Sequence, residues 1–323
     1  MEKFFRKQIS SITKMHKQMS IWGAILFFMV LMIFVIYTLK DWNDSNGGGG
    51  THKETFIQND AFTFKSKNND IYDDFYANIY DQLVFNNVKN DYEVGEIMNN
   101  SSPGEVTKLL DVGCGTGHHV ALLSKQGLDV IGIDKSPSMV SKAQANYPNL
   151  SFSVADGLND TEFSDNMFTH ITCFYFTFYY FKDKEKFFDN CMKWLMPGGT
   201  LIIHLVNKDK FDPILPPGNP LMLVSPQKYA KKRITSTKIK FNDFSYNADF
   251  EPSTGGNSIV KFSEKFKSDK TGKIRKNEHI MYMENINDIT AMAQRAGFIL
   301  QGIADLVKCQ YDYQYLYVFV KPN

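Results

Sequence analysis

The sequence is poor in cysteine, with four among 323 residues: Cys114, Cys173, Cys191 and Cys309. None of them forms a Cys-x-x-Cys pair or shows the spacing of metal ligands, so neither a metal site nor a disulfide framework is predicted. Three of the four lie in apolar stretches, where cysteine usually acts as a small buried hydrophobe. This usage favours a reducing compartment.

The chain also has little net charge, since 36 Lys and Arg oppose 35 Asp and Glu. The balance is uneven along the chain: residues 51–207 hold 12 basic against 20 acidic residues, and residues 208–280 hold 15 against 8. The basic segment would attract an anionic substrate or a membrane surface, or it is simply a solvated lysine-rich face. No RNP-type aromatic motif or zinc-binding arrangement is present, so a nucleic-acid partner is not supported.

One long run lacks charge altogether, from Ser20 to Leu39. Twenty residues of helix rise roughly 30 Å, the thickness of a hydrocarbon core. The run does not end in the small residues of a signal-peptide cleavage site. We therefore expect one transmembrane helix at 20–39, in contact with the lipid bilayer and following a basic tail at 1–19.

The side of the membrane that holds the rest of the chain is left open by the sequence. Five Lys and Arg precede the apolar run, which by the positive-inside rule keeps the N-terminus in the cytosol and sends the large domain across. The free cysteines favour a large domain in the cytosol. Both topologies describe a single-pass membrane protein.

A glycine-rich stretch at 43–50 predicts a flexible linker, taken as 40–69, before a domain at 70–323. Within that domain, short apolar runs alternate with helix-like runs, which is typical of a parallel sheet covered on both faces. Seven runs read as strands: 108–112, 129–134, 151–155, 168–174, 200–206, 298–306 and 314–320. The last two are close enough in sequence to pair antiparallel.

The predicted fold class is therefore α/β, a doubly wound seven-stranded, mostly parallel sheet with an antiparallel last strand. Helices are expected at 70–86, 115–126, 137–145, 183–195 and 288–296. Residues 208–280 form an insertion between the fifth and sixth strands. Alternating polarity predicts strands in it at 237–246 and 258–267, so the insertion is expected to be rich in β-structure.

Two carboxylates are expected at one edge of this sheet. Asp111 and Asp134 end the first two strands, and ligands of open α/β sheets bind beyond such ends. The glycines between them, Gly113, Gly115 and Gly117, allow a tight turn and close approach of the backbone to a ligand. A dinucleotide site would use Gly-x-Gly-x-x-Gly, whereas the spacing here is Gly-x-Gly-x-Gly after an acid. Asp111 would repel a phosphate and attract an amino group, which favours S-adenosylmethionine (SAM).

Longer motifs support that choice. Asp-Val-Gly-Cys-Gly-Thr-Gly begins at 111, Ile-Gly-Ile-Asp-Lys-Ser-Pro-Ser-Met-Val at 131, Val-Ala-Asp-Gly at 154, and Met-Pro-Gly-Gly-Thr-Leu-Ile-Ile-His-Leu-Val at 196. Together they closely resemble the class I SAM-dependent methyltransferase family. The resemblance covers roughly residues 70–206 and resumes at 291–298 and in the last strand. It implies an enzyme that takes a methyl group from SAM.

The resemblance also implies which residues bind SAM. Gly113 and Gly115 would pass under its methionine part, Asp111 would hold its amine, and Asp134 would bind the ribose hydroxyls. Phe174 would contact the methionyl end through its backbone.

The adenine would be lined by Lys135 and Met139, with its amino group bound by Asp156 beside Gly157. One tyrosine of the N-terminal helix, Tyr72, Tyr76 or Tyr80, would close over the cofactor, and Tyr80 is our choice.

The acceptor side is less defined. His204, near the end of the fifth strand, is a candidate general base, and Tyr179 is a candidate to position an acceptor. An Asn/Asp-Pro-Pro-Tyr motif, which marks transfer to planar amino nitrogen in related enzymes, does not follow the fourth strand. We consider three functions: methylation of a small or lipid-proximal acceptor, methylation of a protein by a membrane-tethered enzyme, and a non-enzymatic scaffold. The acceptor itself is not identified.

Overall fold

The computed structural model describes residues 29–32, 62–65, 68–104, 106–214, 226–252 and 258–323. The chain divides into two units, 1–57 and 58–323. In the first, residues 29–32 are helical. Apart from these four residues, the predicted membrane span Ser20–Leu39 and the basic tail lie outside the described residues, as does most of the predicted linker. Within the described ranges, no helix combines the length and the apolar character that crossing a bilayer requires.

The second unit contains a seven-stranded sheet in the order β11-β12-β6-β5-β2-β3-β4. Its strands are β2 (Lys108–Val112), β3 (Asp129–Asp134), β4 (Ser151–Val154), β5 (Phe168–Cys173), β6 (Leu195–Val206), β11 (Ile299–Asp305) and β12 (Gln314–Val320). Strand β12 runs antiparallel to both β6 and β11, and the remaining neighbours are parallel. The predicted mostly parallel sheet with an antiparallel last strand is confirmed.

Helices cover both faces of this sheet. They are α1 (Asn68–Ile71), α2 (Asp74–Val84), α3 (Asn87–Ser101), α4 (His118–Lys125), α5 (Pro137–Asn146), α6 (Thr177–Tyr180), α7 (Lys184–Trp194) and α8 (Ile286–Arg295). One apolar cluster joins α7 and α8 to one face of the sheet. A second cluster joins α3, α4 and α5 to the other face, so the sheet is doubly wound as predicted.

Local sequence accounts for several helix ends. Ser136 caps α5 by accepting a hydrogen bond from the Met139 amide at 3.1 Å, and Pro137 opens the helix, where a missing N–H leaves no bond unmade. The helix expected at 70–86 is wrong as a single element, because it is divided at Tyr72-Asp73. The Asp73 carboxylate accepts a hydrogen bond from the Tyr76 amide and starts α2 there. Helix α3 was not predicted.

The insertion contributes the strands β7 (Ser236–Lys240), β8 (Phe244–Glu251), β9 (Ile259–Ser268) and β10 (Ile274–Tyr282) to a second sheet. Strand β1 (Phe64–Lys65), from the predicted linker, pairs with β10, so the order is β1-β10-β9-β8-β7. The predicted strand at 237–246 is wrong because a turn closes between Phe241 and Phe244. The apolar positions change from odd to even numbers across that turn, and this was the available signal.

Buried Arg275 links the second sheet to the N-terminal helices. Its guanidinium donates two hydrogen bonds to the Asp73 carboxylate, at 2.9 and 2.8 Å, and one to the Ile71 carbonyl at 2.8 Å. One nitrogen, Nη1, binds both oxygens of the Asp73 carboxylate, and Nη2 binds the Ile71 carbonyl, so two nitrogens of one guanidinium hold the segment before α2. Helix α2 is thereby held with Tyr76 and Tyr80 on the wall of the cavity described below.

Candidate active site

The turn between β2 and α4 brings backbone close to the end of β3. Gly113 and Gly115 have φ angles of 75° and 55°, which side chains other than glycine rarely adopt. The Gly113 amide donates to the Ile133 carbonyl at 2.8 Å, and the Gly115 amide donates to the Asp134 carboxylate at 3.0 Å. These bonds hold the first two strand ends together at one edge of a cavity.

Asp134 lies on the wall of that cavity. Its carboxylate also accepts a hydrogen bond from the Ser136 amide at 2.9 Å. Burial raises the pKa of Asp134, although the Ser136 and Gly115 amides oppose the shift. Since a carboxylate has about four acceptor sites, two remain for a ligand, which fits a pair of ribose hydroxyls.

Asp111 is placed differently. Its side chain is buried below the glycine turn, accepts a hydrogen bond from the Thr172 hydroxyl at 2.8 Å, and is not among the residues on the cavity wall. Burial raises the pKa of this carboxyl to about 6. Its role in holding an amine stays a prediction.

The residues predicted to surround adenine do share one wall. Lys135, Met139, Asp156 and Gly157 all line the cavity. The Lys135 ammonium contacts the Asp156 carboxylate at 2.7 Å, and the other Asp156 oxygen accepts from the Leu158 amide at 3.0 Å. Met139 is almost fully buried, which suits an apolar contact with a flat ring.

Tyr80 reaches the glycine turn from α2. A carbon of its ring lies 3.6 Å from the position that a Cβ atom on Gly115 would take. The Phe174 ring stacks on His119 with 4.1 Å between centroids, Phe174 is not among the described residues on the cavity wall, and its backbone contact stays a prediction. The next three residues, Tyr175, Phe176 and Thr177, line the cavity instead. Tyr175 has a φ of 50°, a strained value of the kind that clusters at functional sites.

Neither candidate acceptor-side residue lies on the cavity wall. The Tyr179 hydroxyl is buried and accepts a hydrogen bond from the Val206 amide at 2.8 Å, so it supports the end of β6. His204 is fully buried, and neither ring nitrogen has a hydrogen bond of ordinary geometry among the described residues, although the Gln314 side chain and the Tyr175 backbone act to raise its pKa. Burial, reinforced by Lys89, lowers the pKa of His204 to about 3. Their catalytic roles stay predictions that this placement does not favour.

A polar network from the second sheet faces the cavity from the opposite side. Buried Glu264 accepts four hydrogen bonds, which come from Tyr76 at 2.9 Å, Tyr246 at 2.7 Å, Asn277 at 2.9 Å and His279 Nε2 at 2.7 Å. Burial alone would raise the pKa of Glu264, but His279 and these hydrogen bonds outweigh it, and the pKa is lowered. Glu264 is therefore a buried, fully bonded carboxylate.

The network continues through two tyrosines. The Tyr180 hydroxyl lies 2.8 Å from His279 Nδ1, and the Tyr72 hydroxyl donates to Tyr180 at 3.1 Å. Burial raises the pKa of both tyrosines above the usual range, so both are neutral phenols near pH 7. Sequence reasoning missed Glu264 and His279 because they lie in the insertion, outside any motif.

The two sides enclose a cavity of about 240 Å³. The glycine turn, Asp134 and Asp156 form one side, and Glu264 and His279 belong to the other. The residues predicted to bind the nucleoside and the buried network of Glu264 thus line the same cavity.

Comparison with known proteins agrees with this geometry. Residues 109–199 match a protein family described as "Methyltransferase domain". The chain is 37% identical over 105 residues to phosphoethanolamine N-methyltransferase 3 of Arabidopsis thaliana, an alignment that covers 31% of this chain and 21% of that relative. It is 30% identical over 159 residues to the demethylmenaquinone methyltransferase of Chlorobaculum parvum, covering 49% of this chain and 60% of that protein.

Solved structures show the same fold. A SAM-dependent methyltransferase from Clostridium acetobutylicum superposes with a TM-score of 0.58 at 16% identity, over 77% of this chain and 98% of the other. A SAM-bound amino pentose methyltransferase from Micromonospora echinaspora does so with a TM-score of 0.50 at 16% identity, over 72% and 91%. The chain therefore contains a region that matches a methyltransferase domain, and its fold is that of solved SAM-dependent methyltransferases.

Proposed function

We propose that this protein transfers the methyl group of SAM to a small-molecule acceptor. The observation that carries the proposal is the single cavity of about 240 Å³ shared by Asp134 and the buried network of the second sheet. A space of this size between two sheets suits a small acceptor better than an extended polypeptide, which needs an open groove. The intact set of Gly113, Gly115 and Asp134 argues against a scaffold without activity.

In this proposal the chain's own residues bind and orient the substrates. Asp134 accepts hydrogen bonds from the ribose hydroxyls, and Lys135, Met139, Asp156 and Gly157 line the adenine. SAM supplies an electrophilic methyl group on a sulfonium.

The backbone at Gly113 and Gly115 gives room for the methionine part, and Tyr80 covers it. Holding acceptor and methyl carbon in line could supply about 7–11 kcal/mol of the barrier reduction. The second sheet and α2 cover the reacting atoms.

The acceptors of the curated relatives do not transfer directly to this chain. The alignment with the phosphoethanolamine methyltransferase spans about a fifth of that relative. In this proposal, residues of the second sheet and of α2 that line the cavity select the acceptor.

A membrane anchor is a second part of the proposal. It is supported by the twenty uncharged residues from Ser20 to Leu39 and by the basic flank before them. An anchored enzyme would act on acceptors at or near the bilayer. Retention of the full chain in membranes after alkaline carbonate extraction would support the anchor, and release into the supernatant would contradict it. Protease protection in sealed vesicles would then place the domain on one side.

Calorimetric titration of the purified full chain with SAM tests the donor site. Asp134→Ala removes the proposed acceptor of two ribose hydrogen bonds, and a bond to a charged group contributes about 1.5–3 kcal/mol, so affinity should fall by more than about tenfold. Asp129→Ala, at the exposed start of the same strand, is the matched control and should bind like the wild type. Absence of wild-type binding would refute the donor site, and unchanged binding by Asp134→Ala would refute the ribose assignment.

A further inference from the structure

The charges on the cavity wall are mostly negative. Among the described residues that line it, four are carboxylates and Lys135 is the only lysine or arginine, and Lys135 is paired with Asp156. The carboxylates are Asp134, Asp156, Asp212 and Glu264. An anionic acceptor would enter this space against their field.

The lysines of the second sheet do not change this balance, because they point away from the cavity. On β9 the side chains alternate between the two faces: Glu264 and Phe266 are buried, and Lys265 and Lys267 are exposed. Lys238 and Lys276 follow the same pattern on β7 and β10. The lysine charge of these strands therefore lies on their outer face, while buried Arg275 is paired with Asp73. The expectation that the insertion attracts an anionic acceptor finds no support in the cavity.

Aromatic rings line the cavity beside Glu264. Tyr72 and Tyr76 pack edge to face at 5.2 Å between centroids, and Tyr80 lies 6.0 Å from Tyr76. All three line the cavity together with Tyr180. Aromatic faces near a buried anion attract cations, as in sites that recognise ammonium groups.

The hydrogen-bond network has a defined direction when His279 is a neutral imidazole. Since Glu264 is an anion that already accepts from three other donors, His279 Nε2 carries a hydrogen toward it. In the neutral imidazole, Nδ1 then accepts from Tyr180, and Tyr180 in turn accepts from Tyr72. A proton that reaches the Tyr72 oxygen can pass along this line to Nδ1.

We infer that the acceptor is an amine, bound as its ammonium form among these tyrosines, and that the Tyr72–Tyr180–His279 line removes its proton. This inference rests on the proposed methyltransferase function and adds the acceptor class. Glu264 acts at a distance through its charge and through His279, since its own acceptor sites are filled.

The ammonium gives one proton to the Tyr72 oxygen. The Tyr72 proton passes to the Tyr180 oxygen, the Tyr180 proton passes to His279 Nδ1, and His279 becomes an imidazolium beside Glu264. The amine nitrogen then uses its freed lone pair to bond the methyl carbon. The bond from that carbon to sulfur breaks, and its electron pair stays on sulfur.

Binding tests the acceptor class on the full chain saturated with S-adenosylhomocysteine. Three probes of one shape are titrated by calorimetry: cyclohexylammonium, cyclohexanol and cyclohexanecarboxylate. We expect cyclohexylammonium to bind at least about tenfold more tightly than cyclohexanol, and the carboxylate to give no heat. Equal binding of the alcohol, tighter binding of the carboxylate, or no binding of the ammonium would overturn the inference.

Glu264→Gln keeps the shape of the side chain and removes its charge. It should weaken cyclohexylammonium binding by at least about tenfold. S-adenosylhomocysteine binding measures whether this variant is folded and should stay within about threefold of the wild type. Glu278→Gln, on the neighbouring strand and paired with Lys261 outside the cavity, is the matched control. Ammonium binding that is insensitive to Glu264→Gln in a variant that binds the nucleoside would overturn the role of Glu264.

Turnover tests the proton path. With tritiated SAM and cyclohexylamine, Tyr180→Phe interrupts the line without changing ring packing. We expect kcat to fall about 100-fold with KM and nucleoside affinity little changed, the size expected for loss of a proton acceptor. An unchanged kcat, or binding of cyclohexylamine without its methylation by the wild type, would refute the path. If the wild type fails to bind S-adenosylhomocysteine, the proposed function fails instead, so the two failures are distinguishable.

Discussion

Replacement of Gly113 by alanine should test how the glycine turn is built. Gly113 has a φ of 75°, and an added Cβ would lie 2.3 Å from Cγ2 and 2.5 Å from Oγ1 of Thr177. The left-handed backbone costs a residue with a side chain about 1–2 kcal/mol. Overpacking against Thr177 adds about 1–3 kcal/mol. The free energy of unfolding should therefore fall by roughly 2–5 kcal/mol.

Urea unfolding of the full chain, followed by circular dichroism, gives this difference from the shift in midpoint. The matched control is Gly95→Ala, because Gly95 lies inside α3 and an added Cβ there meets nothing within 4 Å. That control should stabilise the protein by about 0.5–1 kcal/mol, since alanine favours a helix over glycine. Opposite signs for two chemically identical changes would isolate the effect of the turn.

A double-mutant cycle separates the two causes. On a Thr177→Gly background the steric clash disappears and the backbone term remains, so Gly113→Ala should cost about 1–2 kcal/mol there. If Gly113→Ala in the wild-type background changed stability by less than about 0.5 kcal/mol, the reasoning about the turn would be wrong. The variant should also bind SAM more weakly, because relief of the clash moves backbone into the donor site.

Three further predictions concern buried charge. Burial raises the folded-state pKa of Asp111 to about 6, above the unfolded value near 3.9, so the folded state holds a proton that the unfolded state releases. Ionisation of Asp111 therefore lowers the free energy of unfolding as pH rises from about 4 to 6. Above pH 6, Asp111→Asn should be more stable than the wild type by up to about 3 kcal/mol, as measured by urea unfolding, and the difference should vanish near pH 4. His204 has the opposite effect on the pH dependence of stability, because its folded pKa near 3 lies below the unfolded value near 6.5. Its contribution to the free energy of unfolding is complete above pH 6.5 and is lost as pH falls toward 3. His204→Leu should flatten that acid loss in thermal melts, and an unchanged pH profile would contradict the buried, neutral state. Arg275→Lys should destabilise by about 1.5–3 kcal/mol, because one ammonium nitrogen cannot replace three guanidinium nitrogens, which bind Asp73, Ile71 and Asn277. Hydrogen exchange should show α2 opening first. Equal exchange of α2 in both proteins would refute that anchoring role.

The sequence alone determined the parts of this protein that depend on neighbouring residues. Strands β2, β3 and β12 begin and end where predicted, because each is an apolar run between turn residues. The cap of α5 at Ser136-Pro137 and the glycine turn before α4 are likewise local. Since the carboxyl ends of adjacent parallel strands must meet, the position of Asp134 at the cavity followed as well.

Local pattern does not decide which side chains reach the cavity. Asp111 was expected to hold the amine of SAM, and the structure buries its carboxyl against Thr172, so that role stays a prediction. Tyr179 and His204 have residue types suited to catalysis, but neither is among the described residues on the cavity wall, and their roles also stay predictions. Strand β6 begins at Leu195, ahead of the Pro197-Gly198-Gly199 break, because pairing with β5 tolerates an irregularity there.

Only the tertiary structure decided the acceptor side. Tyr72 and Tyr180 are 108 residues apart, and Tyr180 and His279 are 99 apart. Their contacts exist because the turn between α1 and α2, helix α6 and strand β10 meet over the cavity. No spacing within the sequence encodes such a meeting, since it depends on how the second sheet closes over the first. The proposed donor site lies on adjacent strand ends, so its residues could be predicted from local sequence. The network of Glu264 is assembled by long-range packing and could not.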